Sequence, residues 1–162
     1  MKVFDKVLQN VQESNPVVAT TIMAINYNEI EDITKIAYKN GASGLVFLMY
    51  TGYPNDPLLL KGNILKKTNL SMLRVMREYG DFIFYSKKML EVYMSKEFVP
   101  YCVFKSGEVR SYFPDGKQKF CVMGNSSLLC SNCGCIIPIT AYSLFRKFDS
   151  ETVDKTRKLF NF

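Results

Sequence analysis

Five cysteines and no histidine set the chemistry open to this 162-residue chain. Four of them, Cys121, Cys130, Cys133 and Cys135, fall inside a fifteen-residue window. Thiolates are soft ligands, and four together suit either a tetrahedral zinc ion or a cubane iron–sulfur cluster. The missing histidine removes every Cys/His ligand set, every Ser-His triad and every Cys-His nucleophile pair. Cys130-Ser131-Asn132-Cys133-Gly134-Cys135 places three sulfurs in six residues, and Gly134 between the last two lets the backbone turn tightly and bring amides close to sulfur. Cys121, nine residues before Cys130, can loop back through Val122-Met123-Gly124-Asn125 as the fourth ligand. The spacing matches neither the paired CxxC motifs of zinc ribbons nor the bacterial ferredoxin run, so a 4Fe-4S cluster and zinc both remain open.

A disulfide scaffold is the plainer use of cysteine, but five is an odd number and Met1-Lys2-Val3-Phe4-Asp5 carries no apolar signal region. A reducing cytoplasm is therefore the expected compartment. Cys102, within Val99-Pro100-Tyr101-Cys102-Val103-Phe104, reads as a buried core thiol, with a fifth-ligand role as its alternative.

Other chemistry has little support. Asp56, Asp115 and Asp149 stand alone, no paired-carboxylate motif occurs, and no catalytic residue is assigned. A net charge of +6 allows nucleic acid, an anionic substrate or an acidic protein as partner. Lys66, Lys67, Arg74, Arg77, Lys87 and Lys88 form the candidate nucleic-acid patch, with a solvated helical face as the plainer reading. No stretch approaches the roughly 20 apolar residues of a membrane span, so no membrane partner is expected. An apolar content of 48% supports a packed core.

The elements that must position the cysteines alternate in the first half. Lys2 to Ser14 shows a helical apolar face, and Val17 to Ile25 reads as a strand buried on both faces, as in a parallel sheet. Asn28 with Glu31 resembles a capping box opening a helix whose inward face is Ile30, Ile33, Ile36 and Ala37, closed at Gly41. Leu45 to Tyr50 is the next buried strand. Binding residues of such strand–helix–strand units lie at the strand C-terminal ends, here 26–28 and 51–56. Residues 57–67 have no clear pattern. Thr68 or Asn69 is expected to cap a helix through Tyr79, Asp81 to Tyr85 to form a third strand, and Ser86 to cap another helix. After about Phe98 a hairpin around Lys105–Glu108 and a turn at Pro114–Lys117 lead to Cys121, followed by helices over Ile139–Phe148 and from Ser150. The fold class is α/β, with a βα region over 1–98 and a Cys-rich module of β-hairpin and helices over 99–162.

This order of elements, with "VVATTIMAIN", "NEIEDITKIAYKNG", "ASGLVFLMY" and then "CVMGNSSLLCSNCGC", resembles the C-terminal half-barrel and Cys-rich tail of radical S-adenosylmethionine enzymes. The resemblance implies a partial (β/α) barrel of parallel strands and an auxiliary iron–sulfur cluster on Cys121, Cys130, Cys133 and Cys135. The family's CxxxCxxC motif is absent, and no cysteine precedes Cys102. The resemblance therefore implies a C-terminal portion or truncated relative that does not initiate radicals alone. S-adenosylmethionine would enter only with a separate N-terminal half. That half, or a second copy of the chain, would cover the open sheet edge. Two other classes stand beside it: a small basic zinc module for nucleic-acid or protein interaction, and a metal-free scaffold whose cysteines are only packed.

Overall fold

In the computed structural model, which describes residues 15–160, the chain is a mixed α/β protein. Strand β1 (Val17–Ile22) pairs in parallel with β2 (Gly44–Met49) in the register Val17 to Gly44 through Ile22 to Met49. Helix α1 (Ile30–Lys39) connects them. β2 is the central element, buried almost throughout. Its Leu45 pairs in parallel with Ile83, and the Phe84 amide donates to the Leu45 carbonyl at 2.8 Å. The expected third strand is thus a single bridge against β2. The expected helix over 2–14 lies outside the described residues.

β1 departs from its reading as a strand buried on both faces. Val17 and Ala19, on one face, are exposed and only Ile22 is fully buried, and among the described residues β1 has a partner strand on one edge only. Uninterrupted apolarity marks a strand of a parallel sheet but does not distinguish a central strand from an edge.

Helix starts also differ from expectation. A short 3-10 turn over Tyr27–Glu29 leads into α1, which has no side-chain cap; the nearby polar anchor is Asn26, whose Oδ1 accepts from the Met23 amide at 2.8 Å. Helix α2 (Gly62–Tyr79) starts six residues before Thr68. Thr68 is buried inside it with its hydroxyl donating to the Ile64 carbonyl at 2.9 Å, so a residue read as a cap instead bonds back along the helix. Ser86 does cap α3 (Lys87–Ser95), accepting from the Met89 amide at 3.0 Å. Its hydroxyl also meets Thr152 at 2.7 Å, and Asp149 accepts from the Thr152 amide at 2.9 Å. This network joins the start of α3 to that of the last helix, α5 (Ser150–Phe160).

In the second half the hairpin forms one turn later than expected. β3 (Ser111–Tyr112) and β4 (Gln118–Lys119) pair across Pro114–Lys117, while residues 102–106 make turns on the Cys102 carbonyl. Helix α4 (Ile136–Phe145) starts directly after the last cysteine. One cluster of buried side chains runs from Ile22 and Phe47 through Met72, Tyr85 and Met89 to Ile139 of α4. Lys155 of α5 is buried, and its ammonium donates at 3.0 Å to both the Gly80 and the Ile83 carbonyls. No helix among the described residues is long and apolar enough to cross a membrane.

Candidate metal centre

Each cysteine is delivered by a local device. Cys121 closes a tight turn with Gly124, the amide of each donating to the carbonyl of the other at 3.1 and 3.2 Å. Gly124 takes φ +147° there, a backbone state that suits glycine. Asn125 fixes the entry to this turn by accepting from the Phe120 amide at 3.1 Å. Ser126 caps a 3-10 turn over Ser127–Asn132, anchored by buried Leu129, and this turn carries Cys130. Cys135 sits at the N-cap of α4, where helix amides and the dipole favour a thiolate.

The Cys133-Gly134-Cys135 segment is seated on the C-terminal end of β2. The Gly134 amide donates to the Thr51 hydroxyl at 2.8 Å, and the Asn132 side-chain amide reaches the Gly52 carbonyl at 3.4 Å. Backbone contact is so close that a Cβ on Gly134 would lie 2.1 Å from the Met49 carbonyl oxygen. On the other side, Lys96 at the C-cap of α3 takes a left-handed φ of 57° and donates to the Cys133 carbonyl at 2.7 Å while its ammonium lies 3.7 Å from the Tyr93 ring centroid. Of loop 51–56, a candidate binding loop on sequence grounds, Thr51 lines the cysteine cavity and Gly52 meets Asn132. Asp56 at the end of that loop accepts from the Tyr50 hydroxyl at 2.8 Å and from the Leu58 amide at 2.9 Å.

All four expected cysteines line one cavity, and Cys102 lines it with them. All five are free thiols. The remaining wall is Thr51, Phe104, Phe120, Val122, Met123, Leu129 and Pro138, without a carboxylate. Cys102, expected as a core thiol with a fifth-ligand role as the alternative, packs half-buried against Val103, Phe104 and Cys135 and at the same time lines the cavity of the other four. A signal was present: no cysteine precedes residue 102 and all five follow within 34 residues. A second cavity of about 240 Å³, apolar and bounded by Thr21, Leu48, Tyr50 and Ile137, shares Thr51, Val122, Met123 and Cys135 with the first.

Burial raises the Cys130, Cys133 and Cys135 thiols above their ordinary value, Cys135 to about 12. Four groups oppose this: Lys105 at Cys130, the Cys135 amide and the Lys96 ammonium at Cys133, and the Ile137 amide at Cys135. Amides aimed at sulfur and nearby ammonium groups are what a thiolate-bound metal needs around it. Burial also lowers Lys96 to about 8, against the pull of Cys133.

Among the described residues no three Cys, Asp or Glu side chains already stand as a set that holds an ion. Binding therefore requires the thiols to close inward and deprotonate. The donor chemistry itself fits a thiolate metal group: five sulfurs, no competing oxygen ligand, and amides directed at two of them. With thiols raised, the metal-free protein carries protons at neutral pH that a bound dication must displace. Apparent metal affinity should then climb with pH by about tenfold per unit for each proton released. Chelator competition at pH 6.5 and 8.0 checks this; a flat profile would show that the ligands are already thiolates.

No family model, curated protein or solved structure matches the chain.

Proposed function

We propose that this chain is an iron–sulfur protein module of the radical S-adenosylmethionine type, with its cluster held by thiolates from Cys121, Cys130, Cys133 and Cys135 and joined by Cys102. The observation that supports it most is the gathering of all five cysteines in one cavity at the C-terminal end of β2. That is the end where parallel α/β architectures bind their ligands. The consecutive parallel contacts of β1, β2 and Ile83 suit a segment of a (β/α) barrel. The edge of β1 that has no partner strand among the described residues suits completion by an N-terminal half or a second copy, S-adenosylmethionine entering only with such a half. The cluster would supply electron transfer or anchor a substrate group. This chain's residues supply the ligands, the apolar wall and the seat on β2.

One observation favours structural zinc as a second reading. The space between the thiols is about 20 Å³, room for a single water-sized sphere. The nucleic-acid surface that would accompany it is less well supported, because Arg74 pairs with Glu31 at 3.1 Å and Lys88 with Glu91.

Anaerobic reconstitution with ferrous iron and sulfide separates the two. Iron and acid-labile sulfide in equal amounts, with absorbance near ~400 nm, is the expected result. Zinc retained without sulfide would replace the cluster reading with the structural one.

A further inference from the structure

Tyr85 carries a hydroxyl that the packing alone does not explain. The residue is 0% exposed and its hydroxyl is a buried polar group without a hydrogen-bond partner. Such a group costs free energy that phenylalanine in the same place would not, so an orphaned hydroxyl in a well-packed core calls for a reason. Its position is fixed from both sides. The Phe84 amide is bonded to Leu45 of β2, and Ser86 caps α3. The main chain on both sides is thus anchored, and the ring is fully buried.

Tyr85 follows the parallel bridge of Ile83 to Leu45, on the side toward the C-terminal end of β2 where the cysteine loop is seated. The ionisable groups that act on it are Tyr93, Cys135 and Cys133, and Cys133 packs against the cluster of buried side chains to which Tyr85 belongs. Protonated thiols are weak acceptors, and a metal-bound thiolate is a stronger, charged one. The partner Tyr85 lacks is thus one that appears when the cysteines become thiolates.

We propose that Tyr85 is a positioning residue of the metal centre, its hydroxyl donating a hydrogen bond to the thiolate sulfur of Cys133 or Cys135 once metal is bound. The inference rests on the thiolate reading above and goes beyond it by assigning a role to a residue that is not a ligand, a neutral phenol being a poor donor beside soft thiolates. Hydrogen bonds to ligand sulfur orient the ligand and stabilise its negative charge, and loss of such a partner lowers metal affinity by about 10- to 100-fold.

Tyr85→Phe removes the hydroxyl and keeps the ring. The test titrates both proteins anaerobically with cobalt(II), read by its thiolate charge-transfer absorbance and competed with a chelator, and compares urea midpoints of the metal-free proteins. The expected result is at least about a tenfold weaker cobalt affinity in Tyr85→Phe, with a metal-free midpoint equal to or above wild type. Equal cobalt affinities would overturn the role of Tyr85 while leaving the thiolate centre intact. A metal-free midpoint that falls in step with the affinity would overturn it too, by showing a packing role only. Absence of cobalt binding by the wild-type protein would overturn the thiolate centre and this inference with it.

Discussion

Gly134→Ala should abolish ordered seating of the cysteine loop and lower the unfolding free energy by about 3 kcal/mol, the upper end of the usual cost of overpacking. The reason is space rather than backbone conformation. A Cβ at this position would sit 2.1 Å from the Met49 carbonyl oxygen and 2.6 Å from both its carbonyl carbon and its Cβ. Two of those three atoms are backbone of the central strand, which is held by β1 on one side and by Phe84 on the other. No rotamer change can relieve the contact, so the loop must lift. Lifting breaks the bond from the Gly134 amide to Thr51 and withdraws Cys133 and Cys135 from the other thiols. Thr51→Val offers a graded comparison, since it removes only the acceptor and should cost about 1–2 kcal/mol. Urea unfolding with metal analysis of both variants checks the order. If Gly134→Ala matched wild type in midpoint and metal content, the loop would not rest on β2 as described.

The legible parts of this fold were those governed by local pattern. β2 and the inward face of α1 follow from apolar runs and helical spacing, and Ser86 caps α3 because its hydroxyl has an open amide three residues on. The edge status of β1 was not legible, because it depends on which strand lies beyond it. The start of α2 was hidden because Gly62 and Asn63 open it, residues of poor helix propensity that lie exposed in its first turn. At the site, spacing alone singled out Cys121, Cys130, Cys133 and Cys135. It could not reveal that Thr51, just past the end of β2, and Lys96, at the end of α3, converge on the same loop. Convergence of this kind is a property of topology, and nothing in the residues themselves announces it.

Cys102→Ser should reduce metal affinity by more than the roughly 100-fold that loss of an outer-sphere partner costs, and by no less than Cys121→Ser does. Cys102 lines the same cavity as the other four thiols and, like Cys121 and Cys133, packs against Cys135 and Phe104. A ligand built into that wall cannot be replaced by a neighbour without moving the wall. A thiol that merely filled space would behave differently. Serine in its place would destabilise the metal-free protein by about 1–3 kcal/mol through an unpaired buried hydroxyl, while metal content stayed at the wild-type level. Iron and sulfide content after reconstitution, set beside urea midpoints of the metal-free variants, separates the two roles. Loss of metal with a near wild-type midpoint makes Cys102 a ligand, and retained metal with a lowered midpoint returns it to the core. The first outcome would also explain why Lys105 is turned back on the Cys102 carbonyl, its amide donating at 2.9 Å. From there its positive charge opposes the rise of the Cys130 thiol, and it would favour the thiolate form that a bound metal requires.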